Sequence, residues 1–288
     1  MAAQDAEGEP GLQEDAGVER EPVLGLLREV WESLADLCRP FSERQWELAT
    51  DCPGWSVKDN VSHMVGTERI LLGETPPPAP DPMPPHVHNP IGEVNEAWVT
   101  ARRGTPGADV LDEFVDVTGR RLAILGGLAE SSWAQIGWSP IGQVPYRDFM
   151  AIRVFDCYTH ELDIRRAVGI AGHLDGPLAD FAVGRVVQAL PFVLGKKVAP
   201  ADGTIVRWEV TRGGTAPPRV ATVEVLDGRG AMVDDTSGMR GPAVRLRMDT
   251  ETFLRLGCGR GDPRQEPVEV EGDRDLAGAI VQSMAFMI

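Results

Sequence analysis

"RVFDCYTHELDIRRAVG", residues 153–169, decides how the rest of the chain is read. At about 100° per residue, positions four apart differ by roughly 40°, so Asp156 and His160 project one turn apart from the same side of a helix. Phe149, Arg153, Asp163 and Ala167 fall within a similar arc. Met150, Val154, Phe155, Tyr158 and Leu162 cover the remaining circumference, so the spacing predicts a helix over 146–168 that is buried apart from one polar stripe. Buried charges are costly unless paired, hydrogen-bonded or bound to a cation. Arg153 with Asp156, and Asp163 with Arg166, supply pairs that account for the stripe without any ligand. A carboxylate and an imidazole at i and i+4 also suit a single cation, and that reading needs a further ligand from another helix.

The second informative stretch is "CPGWSVKDNVSHM", residues 52–64. Ser56 followed by Asp59 has the form of a capping box, opening a helix that runs to about Gly73. His63 stands two turns into that helix, fixed by backbone hydrogen bonds, and is the preferred third ligand. Val57, Val61, Met64 and Leu71 define an apolar stripe centred away from His63, with Glu68 inside it, so His63 points inward only if this helix is packed on two sides. His86 and His88, in "HVHN", are the alternatives. His173, in a turn, is assigned no role.

Apolar residues at three- and four-residue steps predict further helices over 22–40, 92–103 and 108–128. Residues 76–90 hold eight prolines and are expected to cross the molecule as an extended segment. After Gly169 the pattern changes. One helix is expected over 177–194, then "TIVRWEV", "VATVEVL", "AVRLRMD" and "PVEVEG" alternate as half-buried strands, with short helices over 250–256 and 273–287. The fold class is therefore α+β. A helical bundle spans 22–172 and a small α+β domain spans 173–288, preceded by a disordered acidic tail, 1–21.

A net charge of −16 opposes attraction to nucleic acid or an anionic membrane surface, so neither is expected as a partner. The N-terminus lacks the basic and apolar regions of a signal peptide. No uninterrupted apolar stretch approaches the roughly 20 residues that cross a bilayer. Cys38, Cys52, Cys157 and Cys258 form no C-x-x-C pair, which points to a reduced cytoplasmic setting. Cys157, with Trp55, Trp98 and Trp138, is read as core packing.

With "CPGWSVKDNVSHMVGTE", "HNPIGEVNEAWVTARR", "RVFDCYTHELDIRRAVG", "TFLRLGCGR" and "VEVEGDRDLA" in view, the chain resembles the mycothiol-dependent maleylpyruvate isomerase family. The N-terminal half of that family belongs to the DinB-like metal-binding bundles. The resemblance implies a four-helix bundle in which His63, Asp156 and His160 hold a divalent metal, commonly zinc. Asp156 stands where the family more often has Glu. The trailing part is similar to the sterol-carrier-like α/β domain attached to these bundles, which lies against the metal end and can contribute a basic residue, here Arg260. Function by resemblance is a metal-dependent thiol transferase or isomerase that uses mycothiol, a low-molecular-weight thiol, on a small electrophilic substrate. In that setting Arg153 and Asp163 orient the ligands. A metal-containing ligand binder without catalysis and a metal-dependent hydrolase are the alternatives.

Overall fold

The computed structural model describes residues 21–213, 216–234 and 241–286. Apart from Glu21, the acidic tail expected over 1–21 lies outside the described residues, as does the end of the last expected helix. The helical elements in the first part of the chain are α1 (Pro22–Cys38), α2 (Glu43–Trp46), α3 (Val57–Leu71), α4 (Pro90–Thr100), α5 (Gly107–Gly126), α6 (Glu130–Trp133) and α7 (Tyr146–Val168). A hairpin of β1 (Ile136–Ser139) and β2 (Gly142–Pro145) precedes α7.

Helices α1, α3, α5 and α7 form a four-helix bundle. In it α1 packs on α5 and α7, α3 packs on the same two, and α4 lies against the outer side of α3. This explains the polar residues of α3. The helix is enclosed between the bundle and α4, so every residue from Val57 to Gly66 is buried, including Asn60, Ser62 and His63. Glu68 is buried too, because Arg121 and Arg153 reach it from α5 and α7.

The second part consists of α8 (Pro177–Phe192), a π-helical turn (Val193–Val198), β3 (Ile205–Thr211), β4 (Arg219–Leu226), β5 (Arg229–Met232), β6 (Val244–Asp249), α9 (Thr250–Gly257), β7 (Glu269–Gly272) and α10 (Arg274–Ser283). The sheet order is β5-β4-β3-β6-β7, antiparallel except for the β3–β6 pair. Alternation places Val206, Trp208 and Val210 on the face that is buried, whereas Arg207, Glu209, Arg245 and Arg247 form ion pairs on the opposite face. The fold is thus α+β. Its hydrophobic core runs without a break from the bundle into the sheet layer.

Two expectations from composition need correction. Helix α8 and its π-helical turn, Pro177–Val198, form the one helix among the described residues that is long and apolar enough to cross a membrane. Asp180 and Arg185 interrupt the apolar run and hid it. Half of it is buried, between α7, α9 and the β4–β5 edge. Trp138, read as core, is 62% exposed, because its strand belongs to a two-stranded hairpin; its ring meets Phe149 at a near right angle.

The α3–α4 packing depends on a residue without a side chain. A Cβ at Gly66 would fall 2.4 Å from the Trp98 ring. Gly66→Ala should therefore lower stability by about 1–3 kcal/mol through overpacking, read as a lower urea midpoint at unchanged slope. An unchanged midpoint would show that α4 is not held against α3 in this way.

Candidate metal centre

Two backbone devices fix the side chains of this site. Helix α7 ends at Gly169, whose left-handed conformation (φ 72°) closes the last turn. Helix α3 starts at Ser56, whose hydroxyl accepts from the Asp59 N–H while the Asp59 carboxylate accepts from the Ser56 N–H. The preceding turn is locked as well: the Thr50 N–H and hydroxyl both donate to the Trp55 carbonyl, and the Asn60 amide donates to Thr50.

These constraints bring His63 of α3 to Asp156 and His160 of α7. His63 Nε2 lies 3.3 Å from Asp156 Oδ2, His160 Nε2 lies 3.6 Å from Asp156 Oδ1, and the two imidazole centroids are 5.0 Å apart. One ligand atom from each of the three falls within 4.8 Å of the others. Both imidazoles are buried, and Asp156 is the most open of the three, with 18% of its side chain exposed. His63 Nδ1 is buried with no hydrogen-bond partner among the described residues. A nitrogen–oxygen–nitrogen donor set with an unsatisfied imidazole suits a borderline divalent cation.

His160 also faces a second group on its other nitrogen. Nδ1 lies 3.4 Å from Asp163 Oδ2 and 3.7 Å from Cys52 Sγ, and Cys52, His160 and Asp163 likewise offer ligand atoms within 4.8 Å. Here the carboxylate is already engaged. Arg260 forks onto Asp163, with Nε 3.0 Å from Oδ1 and Nη2 2.9 Å from Oδ2, and the Cys52 thiol donates to Oδ2 at 3.1 Å. The third nitrogen of Arg260 donates to the Cys258 carbonyl, so this guanidinium is turned toward Asp163 and its own loop. The expected Asp163–Arg166 pair does not form. Arg260 arrives from the sheet side and takes Asp163, while Arg166 pairs with Asp51 and Glu251 at the surface.

Asp156 is held by Arg153 Nη1, whose Nε lies 2.9 Å from Glu68; the other Glu68 oxygen pairs with Arg121 at 2.9 Å. Asp156, Asp163 and Glu68 are thereby matched by Arg153, Arg260 and Arg121. Burial lowers the His63 pKa more than Asp156 restores it. Burial alone would do the same to His160, but the Asp156 carboxylate and its other neighbours hold it well above the usual value. Burial would raise the Asp163 carboxyl, yet hydrogen bonding to His160 and the Arg260 charge hold it below the usual carboxylate range. Burial and then Asp163 push the Cys52 thiol up, so it stays protonated. Cys157 is fully buried beside Trp31, with its thiol pushed up to about 12 by burial.

The remaining residues singled out in the sequence lie elsewhere. His86 binds Glu96 rather than the ligand cluster, and His88 is outside both groups of candidate ligands. His173 is tied to Glu161, 2.7 Å from its Nδ1. The indole of Trp55, read as core, lies against both imidazoles, with centroids 5.2 Å from His63 and 6.1 Å from His160. Cys52 was read only as one of four cysteines outside any C-x-x-C pair, and Glu96 was not singled out. Glu96 carried a signal, a single acid beside "AWV" on an amphipathic helix. A groove of about 560 Å³ runs along the last turn of α7 past Asp51, Arg166 and Glu251, and its lining includes none of His63, Asp156 and His160.

Residues 27–165 match the model of the mycothiol maleylpyruvate isomerase N-terminal domain. Two uncharacterized proteins from two strains of Mycobacterium tuberculosis are each 24% identical over 198 residues, covering 67% of this chain and 75% of theirs. Among solved structures, the mycothiol-dependent maleylpyruvate isomerase superposes with a TM-score of 0.55 at 15% identity, over 86% of this chain and 91% of that one. At that identity the likeness is one of fold.

Removing one partner of a buried pair leaves the other charge without compensation. Arg260→Met should therefore destabilise the protein by about 3 kcal/mol, the low end for such a pair because Arg260 keeps some contact with water. A depressed carboxyl pKa contributes stability that is present above the unfolded value of about 3.9 and lost as pH falls below it, so the deficit should shrink in acid. Denaturant titrations at pH 7 and below pH 4 measure it. An equal deficit at both would detach the effect from Asp163.

Proposed function

We propose, from the premise that residues 27–165 belong to the mycothiol maleylpyruvate isomerase N-terminal domain family, that this chain is a metal-dependent thiol transferase or isomerase. It would act on a small electrophilic substrate with a mycothiol-type thiol as cosubstrate. The observation that carries the reading is the meeting of His63, Asp156 and His160, from helices about 90 residues apart in sequence, around one point. The bundle, 22–172, is read as the metal-binding domain and 173–288 as a domain that braces it. A thiol cosubstrate and four buried, unpaired cysteines fit the reduced cytoplasm.

A divalent ion, zinc foremost, held by His63, Asp156 and His160 would keep an open position and supply a Lewis acid that lowers the pKa of an incoming thiol or water. The chain's own residues set up that chemistry. With Asp163 accepting from His160 Nδ1, the Nε2 lone pair is directed toward Asp156 and His63. Arg260 acts through Asp163 by fixing the carboxylate that fixes the imidazole. Arg153 and Glu68 orient Asp156 in the same way. Because the three carboxylates of the cluster are already balanced by three guanidiniums, a bound cation would leave a positive excess that would favour an anionic incoming group, such as a thiolate. His160, held protonated by its carboxylate neighbours, would have to lose its second proton to bind a cation, so uptake should weaken as pH falls.

Protein purified without chelator should contain a divalent metal near one equivalent, and His63→Ala, Asp156→Ala and His160→Ala should each lose it. Stoichiometric metal retained in all three variants would refute the site. With the loaded wild type, turnover of a small electrophile only in the presence of a low-molecular-weight thiol supports the transferase or isomerase reading. Turnover without thiol would indicate hydrolysis, and none under either condition would indicate a binding protein.

A further inference from the structure

The proline-rich segment and the turn before α3 meet at a carboxylate that the proposed chemistry does not use. Glu96 on α4 is fully buried. Its Oε2 accepts from the Trp55 indole N–H at 2.9 Å and faces His86 Nε2 at 3.1 Å. Its Oε1 pairs with Arg103 at 2.8 Å and accepts from the Thr100 hydroxyl at 3.2 Å. The His86 ring covers Gly54, where an added Cβ would lie 2.4 Å from its Nδ1, so the turn can fit beneath this ring only with glycine at that position.

The rings beyond Glu96 complete the connection. The indole that it anchors lies against His63 and His160, inclined to them by 35° and 39°. We infer that Glu96 is a positioning residue for the imidazole cluster: it holds the Trp55 indole against His63 and His160 and, through His86, pins the proline-rich segment over the same turn. The partners of Glu96 are Trp55, His86, Thr100 and Arg103 rather than any of the three candidate ligands, so its effect passes through the indole. Two independent donors from different segments on one carboxylate oxygen, with that oxygen wholly buried, make the indole orientation a property of α4. Fixing the rings in advance removes part of the ordering cost of taking up a cation.

The inference rests on the metal reading for its purpose but not for its geometry, and the test separates the two. In the metal-free full-length chain, the imidazole C–H signals of the five histidines are recorded by NMR. Trp55→Leu should shift the His63 and His160 signals by removing the indole ring current. Glu96→Ala should shift the same two in the same direction, along with His86, and leave His88 and His173 in place. Glu96→Gln, which retains an acceptor oxygen, should restore part of the shift. Titrated with Zn2+ alone, Glu96→Ala should bind about 10–100-fold more weakly. The Glu96→Ala/Trp55→Leu double variant should be no weaker than the worse single variant, because both act through one ring.

Unmoved His63 and His160 signals in Glu96→Ala, or additive losses in the double variant, would overturn the inference. If Glu96→Ala does not fold, Glu96→Asp, which keeps the charge but withdraws the carboxylate by one methylene from the indole N–H, should move the two signals part of the way, and no movement overturns the inference equally. A wild-type chain that takes up neither Zn2+ nor another divalent transition metal defeats the proposed function, while the metal-free signals still decide the role of Glu96.

Discussion

The structure depends on the pairing of charges along one side of a helix that is buried through its middle turns. Helix α7 is surrounded by α1, α3 and α8, so Arg153, Asp156, His160 and Asp163 must each find a partner inside the protein, and the rest of the molecule is arranged to supply them. Helix α3 brings Glu68 and His63, α5 brings Arg121, the turn before α3 brings Cys52, and the loop after α9 brings Arg260. A network of this kind contributes little net stability over an apolar core of the same shape, but a half-made one is heavily penalised. It thus specifies a single mutual arrangement of bundle and sheet.

That arrangement also separates two roles that look alike in sequence. Asp156 and Asp163 sit on the same stripe, one on each side of His160. Asp163 is fully committed to Arg260, a thiol and the far nitrogen of the imidazole. Asp156 is the more open and shares its carboxylate with two imidazoles. In the proposed site one acid orients the ring, and the other would share a cation with it. Arg260 couples the sheet-bearing half to this ring through Asp163, so the two halves of the chain are joined at the candidate metal centre as well as through a common core.

The helical periods, the capping box at Ser56 and the strand alternation after residue 200 are local, and each was legible in the sequence. So was the side-by-side placement of Asp156 and His160, which needs only 3.6 residues per turn. The inward direction of His63 was not, because it depends on α4 closing the outer side of α3, a contact between elements separated by the proline-rich segment. Arg166 was expected beside Asp163 by spacing alone, and Arg260 displaced it from almost 100 residues away. Trp55 and Trp138 have the same side chain and opposite fates: the first is drawn in by a buried acid, the second is left on an isolated hairpin. Only the three-dimensional arrangement distinguishes them.

The central claim is that one cation belongs between α3 and α7 and not on the Cys52 side of His160. Anomalous diffraction at the metal edge from crystals of the loaded protein tests it most directly. The account predicts a single peak about 2.0–2.2 Å from a nitrogen of His63, an oxygen of Asp156 and Nε2 of His160. A peak beside Cys52 and Asp163, or one bound by neither imidazole, would contradict it.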